Sequence, residues 1–447
     1  MKYYLETVIR HRQVMEKWRS KVLKALKEDL YPPPSYFNEN GRIILEYLLI
    51  KGKIPSYLFN GKGDAAAAVD DASVINDLGG AKNESSVIQI LAPIMLKAVE
   101  ASREKRDLIL LNSTNLMKET AFGTRPDMLV CHRAAAEEVT SEADSTVDGV
   151  GCLFGRLANR VMRDMVSCVV KFNVKIGDGR TPWGEVAHYA KKWASTVNDD
   201  KNASSSPVIE YMNWLLVDAE CFYMLIANKL GNIVRAVRCK WGDAGGSSIL
   251  GSFLCGGKLP NFIYSVVVSP WETALDWCLE NLGVTLDSGT GGMSYLGCGA
   301  IGRVFRVKNK DNVCGALKVT VGKMEVSCLS DEIMGYAQVQ HKHLSKLTSY
   351  QIHPDNAWGG IISAPVGSKP DLKNRKVLAD AMETLENLKK CNILHGDARV
   401  PNLMYDEEEE ILFWVDLHTS RSLPSGYGGN IDKNYFEKDL KIYGIHM

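Results

Sequence analysis

Residues 395–420 read HGDARVPNLMYDEEEEILFWVDLHTS. The stretch opens on His395-Gly396-Asp397 and reaches Asn402 within one short loop. An acidic turn follows, and then an apolar run from Ile411 to Val415 that ends in Asp416. The pattern predicts a loop, a short β-hairpin and a turn carrying an aspartate. Transfer of a phosphoryl group to a hydroxyl needs a carboxylate to orient the acceptor. It also needs oxygen ligands for Mg²⁺ bridging the phosphates. Asp397 suits the first role, and Asn402 and Asp416 suit the second. Arg399, two residues after Asp397, brings a positive charge and a fork of donors to the same loop.

Upstream, LGCGAIGRVF at 296–305 places Gly297, Gly299 and Gly302 in G-x-G-x-x-G spacing, followed by Val304. In a dinucleotide-binding domain such a run opens into a helix. Here it runs into Arg303-Val304-Phe305-Arg306-Val307, which alternates as a strand does. Ala316-Leu317-Lys318-Val319 follows. A lysine on a buried strand requires a partner, and Glu332 in the next helical stretch is preferred to Glu325, which lies too near the strand. Glycine loop, strand lysine, helix glutamate and the H-G-D…N…D set occur in the order of the protein-kinase motifs. The resemblance implies ATP and Mg²⁺ as ligands. Gly297, Gly299, Gly302 and Val304 would close over the nucleotide, Lys318 and Glu332 would pair, and Pro365–Ser368 would form a hinge beside the base.

Composition bounds the rest. The chain has 447 residues, formal net charge zero and 11 cysteines. That length predicts two or three domains. Zero net charge excludes a chain-wide basic field for nucleic acid, so any such surface is local. An odd number of scattered cysteines without C-x-x-C argues against a disulfide framework or structural zinc and for a reducing compartment. No apolar run reaches bilayer-spanning length and no signal-peptide h-region is visible, so no membrane partner and an intracellular location are expected.

The N-terminal half reads as helices and strands. Residues 1–52 look helical, with a basic amphipathic stretch from Val8 to Leu30. Asn83 caps a helix with Glu84 in its first turn. Strands are predicted at Leu108–Leu111, in Arg125-Pro126-Asp127-Met128-Leu129-Val130 beginning with the aspartate, and at Cys168–Ile176. Further strands are predicted at Trp214–Val217, Phe222–Ala227, Ile233–Cys239 and Ile263–Val268. Residues 134–165 read as helical. A helix at Pro270–Leu282 closes this domain, a Gly/Ser-rich linker spans 286–293, and His341 and His343 read as solvated.

Helix with Glu, strand with Pro-Asp, strand with x-x-Lys, then helix is the order of a PD-(D/E)xK core. Such a core holds Mg²⁺ on carboxylates beside the scissile phosphate and polarises a water with lysine. Glu84 and Asp127 would be the metal ligands and Lys175 the lysine. Asn173 replaces the usual carboxylate, and a neutral oxygen holds a hard cation less well.

Glu84, Arg125-Pro126-Asp127, Asn173-Val174-Lys175, LGCGAIGRVF, ALKV, HGDARVPNL and VDL together resemble the nuclease-plus-kinase modules of Crinkler effectors, over residues 80–447. The resemblance implies action inside a host cell, in its nucleus, with DNA as a partner of the N-terminal half and an unspecified protein or small-molecule phospho-acceptor. The family's amino-terminal header is not visible. Gly396 stands where many protein kinases have Arg, which implies no phosphorylated activation-loop switch, and Asp416-Leu417-His418 replaces D-F-G. No A-P-E motif follows. Glu437–Gly444 resembles the helix whose aspartate, here Asp439, braces the catalytic loop.

The expected fold class is an α+β / α/β multidomain chain. Residues 1–80 form a helical region and 81–285 a restriction-endonuclease-like core. The linker spans 286–293, and 294–447 form a protein-kinase-like bilobal domain with a short C-lobe. The expected function is an ATP- and Mg²⁺-dependent phosphotransferase fused to a nuclease-like domain. The alternatives are a metal-dependent DNA endonuclease regulated by the kinase-like part, and a non-catalytic effector that works by binding.

Overall fold

The computed structural model describes residues 78, 80–81, 83–102, 106–114, 126–138, 153–173, 186, 189–194, 210–241, 246–257, 269–289, 292–424 and 429–445. The chain is a mixed α+β protein that divides into two compact units, the first ending at Ser269 and the second beginning at Pro270. The basic stretch at 8–30, Lys175 and the strand expected at 263–268 lie outside the described residues.

In the first unit, helix α1 (Glu84–Ser102) is capped by Asn83, whose side chain accepts from the Ser86 N–H at 2.8 Å. The strands are β1 (Leu108–Asn112), β2 (Met128–His132), β3 (Ala136–Glu138), β4 (Leu153–Leu157), β5 (Val166–Phe172), β6 (Tyr211–Val217), β7 (Cys221–Asn228) and β8 (Ile233–Lys240). They form one eight-stranded sheet in the order β3-β4-β1-β2-β5-β6-β7-β8. β1, β2 and β5 run antiparallel in succession, β5 and β6 pair parallel, and β7 and β8 return antiparallel. A parallel pair needs a crossover, and the helical residues 189–194 lie in that connection, with Trp193 buried. Nearly every residue of β1, β2 and β5 is buried, as a strand covered on both faces requires. Val87, Leu91 and Met95 of α1 share a core with Leu110, Val130, Val170 and Leu215, and with Leu250 and Phe253 of α2 (Gly246–Leu254). Among the described residues, α1 alone is long and apolar enough to cross a membrane, and its buried side packs into this core.

Among the described residues of 134–165, the expected α-helix is not formed. Ala136–Glu138 pairs with Leu153–Leu157 instead, and Arg156 clasps Glu137 across the two strands at 2.7 and 2.8 Å. Helical propensity at an Ala-Glu-Glu triplet is a weak preference, and strand pairing overrides it.

The second unit begins with α3 (Pro270–Leu282). Its sheet is β10 (Tyr295–Cys298), β11 (Arg303–Lys308), β12 (Cys314–Val321), β14 (Trp358–Ala364) and β13 (Lys346–Ile352), all antiparallel. Helix α4 (Lys323–Gln338) covers one face and α3 the other. On β14, a Cβ at Gly359 would face Leu329 of α4, and one at Gly360 would face Cys278 of α3.

This corrects two expectations. The helix at 270–282 does not close the first unit. Trp271, Ala274, Leu275 and Cys278 are buried, and the helix packs on β12, β13 and β14. Arg303 at the start of β11 stacks on Trp271, 4.3 Å from the ring centre. The start of the expected 286–293 linker is not free either. β9 (Thr285–Leu286) pairs with β11, and Asp287 accepts from Arg306 at 2.8 Å.

Beyond β14 lie α5 (Arg375–Lys390), β15 (Ile393–Leu394), the hairpin β16 (Leu403–Asp406)–β17 (Ile411–Trp414), β18 (Arg421–Ser422) and α6 (Ile431–Ile442). Leu385, Leu388, Leu403, Trp414, Phe436 and Leu440 share their core. Trp414 meets Phe436 edge-on at 5.3 Å and donates to Thr384 at 2.8 Å. His343 is buried rather than solvated, its Nδ1 2.9 Å from the Leu412 carbonyl.

Candidate active site

Two antiparallel strands carry the glycine loop. Gly299 N–H donates to Gly302 O at 2.9 Å and closes the turn between β10 and β11, leaving Gly297 on β10. Val304 stands opposite Lys318 in the β11–β12 register. Even positions on β12 face α4, so Lys318 reaches that helix. Its Nζ lies 2.7 Å from Glu332 Oε2 and 3.1 Å from Asp416 Oδ1.

Electrostatics favour the charged forms of Lys318 and Asp416. Burial alone would lower the Lys318 pKa, but Glu332 and Asp416 outweigh it and raise it above the ordinary lysine range. Burial raises the pKa of Glu332, against the pull of Lys318. Burial would also raise that of Asp416. The hydrogen bond from His418, 3.0 Å away, and the charge of Lys318 instead hold it well below the usual carboxylate range. His418 is raised in turn by that bond. Asp416 adopts φ +69°, a conformation that non-glycine residues seldom take.

The loop at 395–402 forms a second cluster. Arg399 grips Asp397 with both arms, Nε at 2.6 Å and Nη2 at 2.7 Å. The Asn402 amide group donates to both the backbone and a carboxylate oxygen of Asp397 at 2.9 Å, which leaves its own oxygen as the free end. The Asn402 carbonyl accepts from Val415 N–H at 2.9 Å, so the loop is tied to the residue before Asp416.

The loop rests on α6. Asp432 accepts from the His395 N–H at 2.7 Å and the Gly396 N–H at 2.8 Å, and Asp439 accepts from the Val400 N–H at 2.7 Å. Sequence reasoning singled out Asp439 and missed Asp432. A signal existed, because two aspartates seven residues apart share one helical face. The imidazole of His395 is fully buried, its Nε2 3.1 Å from the Val415 carbonyl, and burial lowers its pKa.

In the first unit, Asp127 sits just before β2 and is 5% exposed. Phe172 N–H donates to its Oδ2 at 2.6 Å, and Lys171 Nζ lies 3.0 Å from the same oxygen. The same ammonium is 3.4 Å from Glu84 Oε1 on α1. Burial raises the Asp127 pKa from 3.8 to about 6, with Lys171 opposing it and Glu84 adding to it. Sequence reasoning missed Lys171. Lys171 lies on β5, and its neighbour across the sheet is set by the strand register, which the sequence alone does not give. Met128 pairs with Val170, which sets Lys171 beside Asp127.

Among the described residues, no three His, Cys, Asp or Glu side chains converge as a metal cage. A Mg²⁺ brought in on phosphates does not need one, because it takes one or two protein oxygens and completes its octahedron with phosphate and water. Asp416, ionised, and Asn402, with its amide oxygen free, fit that requirement. Compared with known proteins, the chain matches no family model and no curated sequence.

Proposed function

We propose that the second unit is an ATP- and Mg²⁺-dependent phosphotransferase with a protein-kinase-like fold. We further propose that it is joined to a restriction-endonuclease-like unit, as in the Crinkler modules the sequence resembles. The observation that carries the reading is the Lys318 ammonium shared by Glu332 and Asp416. A buried amine between two carboxylates from a helix and a turn is costly to assemble for stability alone. It has a use where phosphates arrive, because the amine can exchange one carboxylate partner for phosphate oxygen. The sheet order β10-β11-β12-β14-β13, with the glycine turn at one edge and Lys318 at its centre, supports it.

In this reading Lys318 holds the α- and β-phosphates, and Glu332 fixes the amine. Asn402 and Asp416 hold Mg²⁺, which when bound offsets charge on the phosphates. Asp397 accepts the hydroxyl proton of the acceptor and orients it. Arg399 occupies Asp397 in the free protein and turns to the transferred phosphate on binding. Asp432 and Asp439 keep the loop backbone fixed, so Asp397 acts from a preorganised position. Action in a host-cell nucleus follows from the Crinkler resemblance.

Thermal unfolding with and without Mg·ATP tests this. A ligand at a hundredfold excess over its Kd stabilises the native state by about 2.7 kcal/mol, roughly 5–10 °C for a unit of this size. The wild type should show that shift and Asp416→Ala should not. No shift in folded wild type would sink the proposal.

A second reading, a metal-dependent endonuclease in the first unit, is favoured by one observation. Asp127 is buried with a raised pKa beside Lys171 and Glu84, and such perturbed groups concentrate at functional sites. In that reading Glu84 and Asp127 take the metal and Lys171 faces the attacked phosphate, with DNA as substrate.

A further inference from the structure

The pairing of Lys318 depends on where α4 meets the Asp416 turn, and they meet at a glycine. Gly335 lies on α4 three residues after Glu332, on the same side of the helix. A Cβ at Gly335 would overlap the Leu417 carbonyl oxygen and stand 3.1 Å from its carbon. Leu417 is fully buried, and its carbonyl accepts from Ser420 N–H at 3.0 Å. Its neighbour Asp416 already holds a positive φ. The turn therefore has little freedom to retreat, and a methyl group would drive helix and turn apart. Glycine is among the poorest helix formers, and here it sits inside α4 at the one contact where any other residue would collide.

We propose that Gly335 is a positioning residue that, by letting α4 touch the Leu417 carbonyl, sets both Glu332 and Asp416 at the Lys318 ammonium. Tyr336, the next residue, provides a second hold. It is buried, and its hydroxyl lies 2.9 Å from Ser345 Oγ, just before β13. Together they keep α4 in its paired position through the chain's own packing. No phosphorylated loop or activating partner is needed to bring Glu332 to Lys318. The inference rests on the phosphotransferase reading for its consequence, but not for its geometry.

The test has two readouts on the full chain. One is the rate at which an amine-acylating reagent modifies Lys318, followed by mass spectrometry. The other is Mg·ATP affinity by titration. Gly335→Ala should raise Lys318 labelling and weaken Mg·ATP binding by about tenfold each, the usual cost of displacing a supporting contact. Tyr336→Phe keeps the ring and loses the hydroxyl's hydrogen bonding, so about threefold in each is expected. Met334→Ala, on the exposed side of α4, should change neither. If Gly335→Ala does not fold, Tyr336→Phe decides. Wild-type labelling rates in both variants would overturn the proposal. Wild type that binds no Mg·ATP, alongside variants that still label faster, would sink the phosphotransferase reading and leave the positioning role intact.

Discussion

Asp127→Asn should stabilise the first unit, and by an amount that depends on pH. The wild-type carboxyl titrates near pH 6 in the folded chain instead of 3.8. Its folded pKa is raised, so the folded state holds the proton more tightly than the unfolded one between those values. Stability from this group is complete below about pH 4 and is lost as pH rises through 6. At 1.36 kcal/mol per pKa unit the loss reaches about 3 kcal/mol at neutral pH. Asparagine carries no proton to lose and keeps an oxygen for Phe172 N–H and Lys171. The variant should therefore exceed wild type by about 3 kcal/mol at pH 7.5 and about 1 kcal/mol at pH 4.5. With a typical urea m-value near 2 kcal/mol/M, the neutral-pH gain moves the midpoint by about 1.5 M. Urea titrations of both proteins at both pH values measure it, and other carboxylates cancel in the difference. An equal gain at the two pH values, or a less stable variant at pH 7.5, would refute the reasoning. In the endonuclease reading, Mn²⁺ raises the wild-type midpoint at pH 7.5 and leaves the variant unmoved.

Three further outcomes follow from the second unit. Lys318→Met strands Glu332, which is 1% exposed, and should cost about 3–5 kcal/mol. Adding Glu332→Leu should restore most of that stability in urea while Mg·ATP binding stays absent. Asp432→Asn offers one oxygen to the buried His395 N–H and the half-buried Gly396 N–H, which costs about 1–3 kcal/mol. It should lower kcat with little change in the KM for ATP, as steady-state rates would show. Trp271→Ala should cost about 3–5 kcal/mol. It should move the transition that Mg·ATP raises, not the one that Asp127→Asn moves, because α3 belongs to the second sheet.

What the sequence made legible was local. Lys318, Asp397, Asn402 and Asp416 sit in short motifs whose spacing is dictated by a strand or a tight loop. The choice of Glu332 over Glu325 needed only the length of a helix to settle. What it hid depended on partners far along the chain. The apolar stripe of α3 says that the helix is covered but not by which sheet, and it covers β12 to β14. The x-x-Lys pattern points to Lys175, and only the pairing of Met128 with Val170 shows that Lys171 stands beside Asp127. The alanine-glutamate run at 136–138 carries helical propensity, and a clasp to Arg156 across two strands overrules it. Asp432 is seven residues from an aspartate that did attract notice, but its task is visible only where α6 meets the loop at His395.

Each unit holds a lysine between two carboxylates, one on a helix and one where a strand ends or begins, yet the aspartates titrate in opposite directions. Asp127 is almost fully enclosed and shares its lysine with Glu84, so desolvation prevails and its pKa rises to about 6. Asp416 keeps 27% of its side chain open and has two cationic neighbours, Lys318 and His418, so the charged form prevails. An ionised, partly open carboxylate is a standing cation site. A buried one that retains its proton near pH 6 becomes a cation site only when the proton leaves and the amine steps aside. Metal binding in the first unit would therefore release protons and strengthen steeply from pH 5 to 7, whereas Mg·ATP binding at Asp416 would be flat over that range as far as Asp416 is concerned. Calorimetric titration in two buffers of different ionisation enthalpy separates the two behaviours. No proton release on metal binding to the first unit would overturn this account.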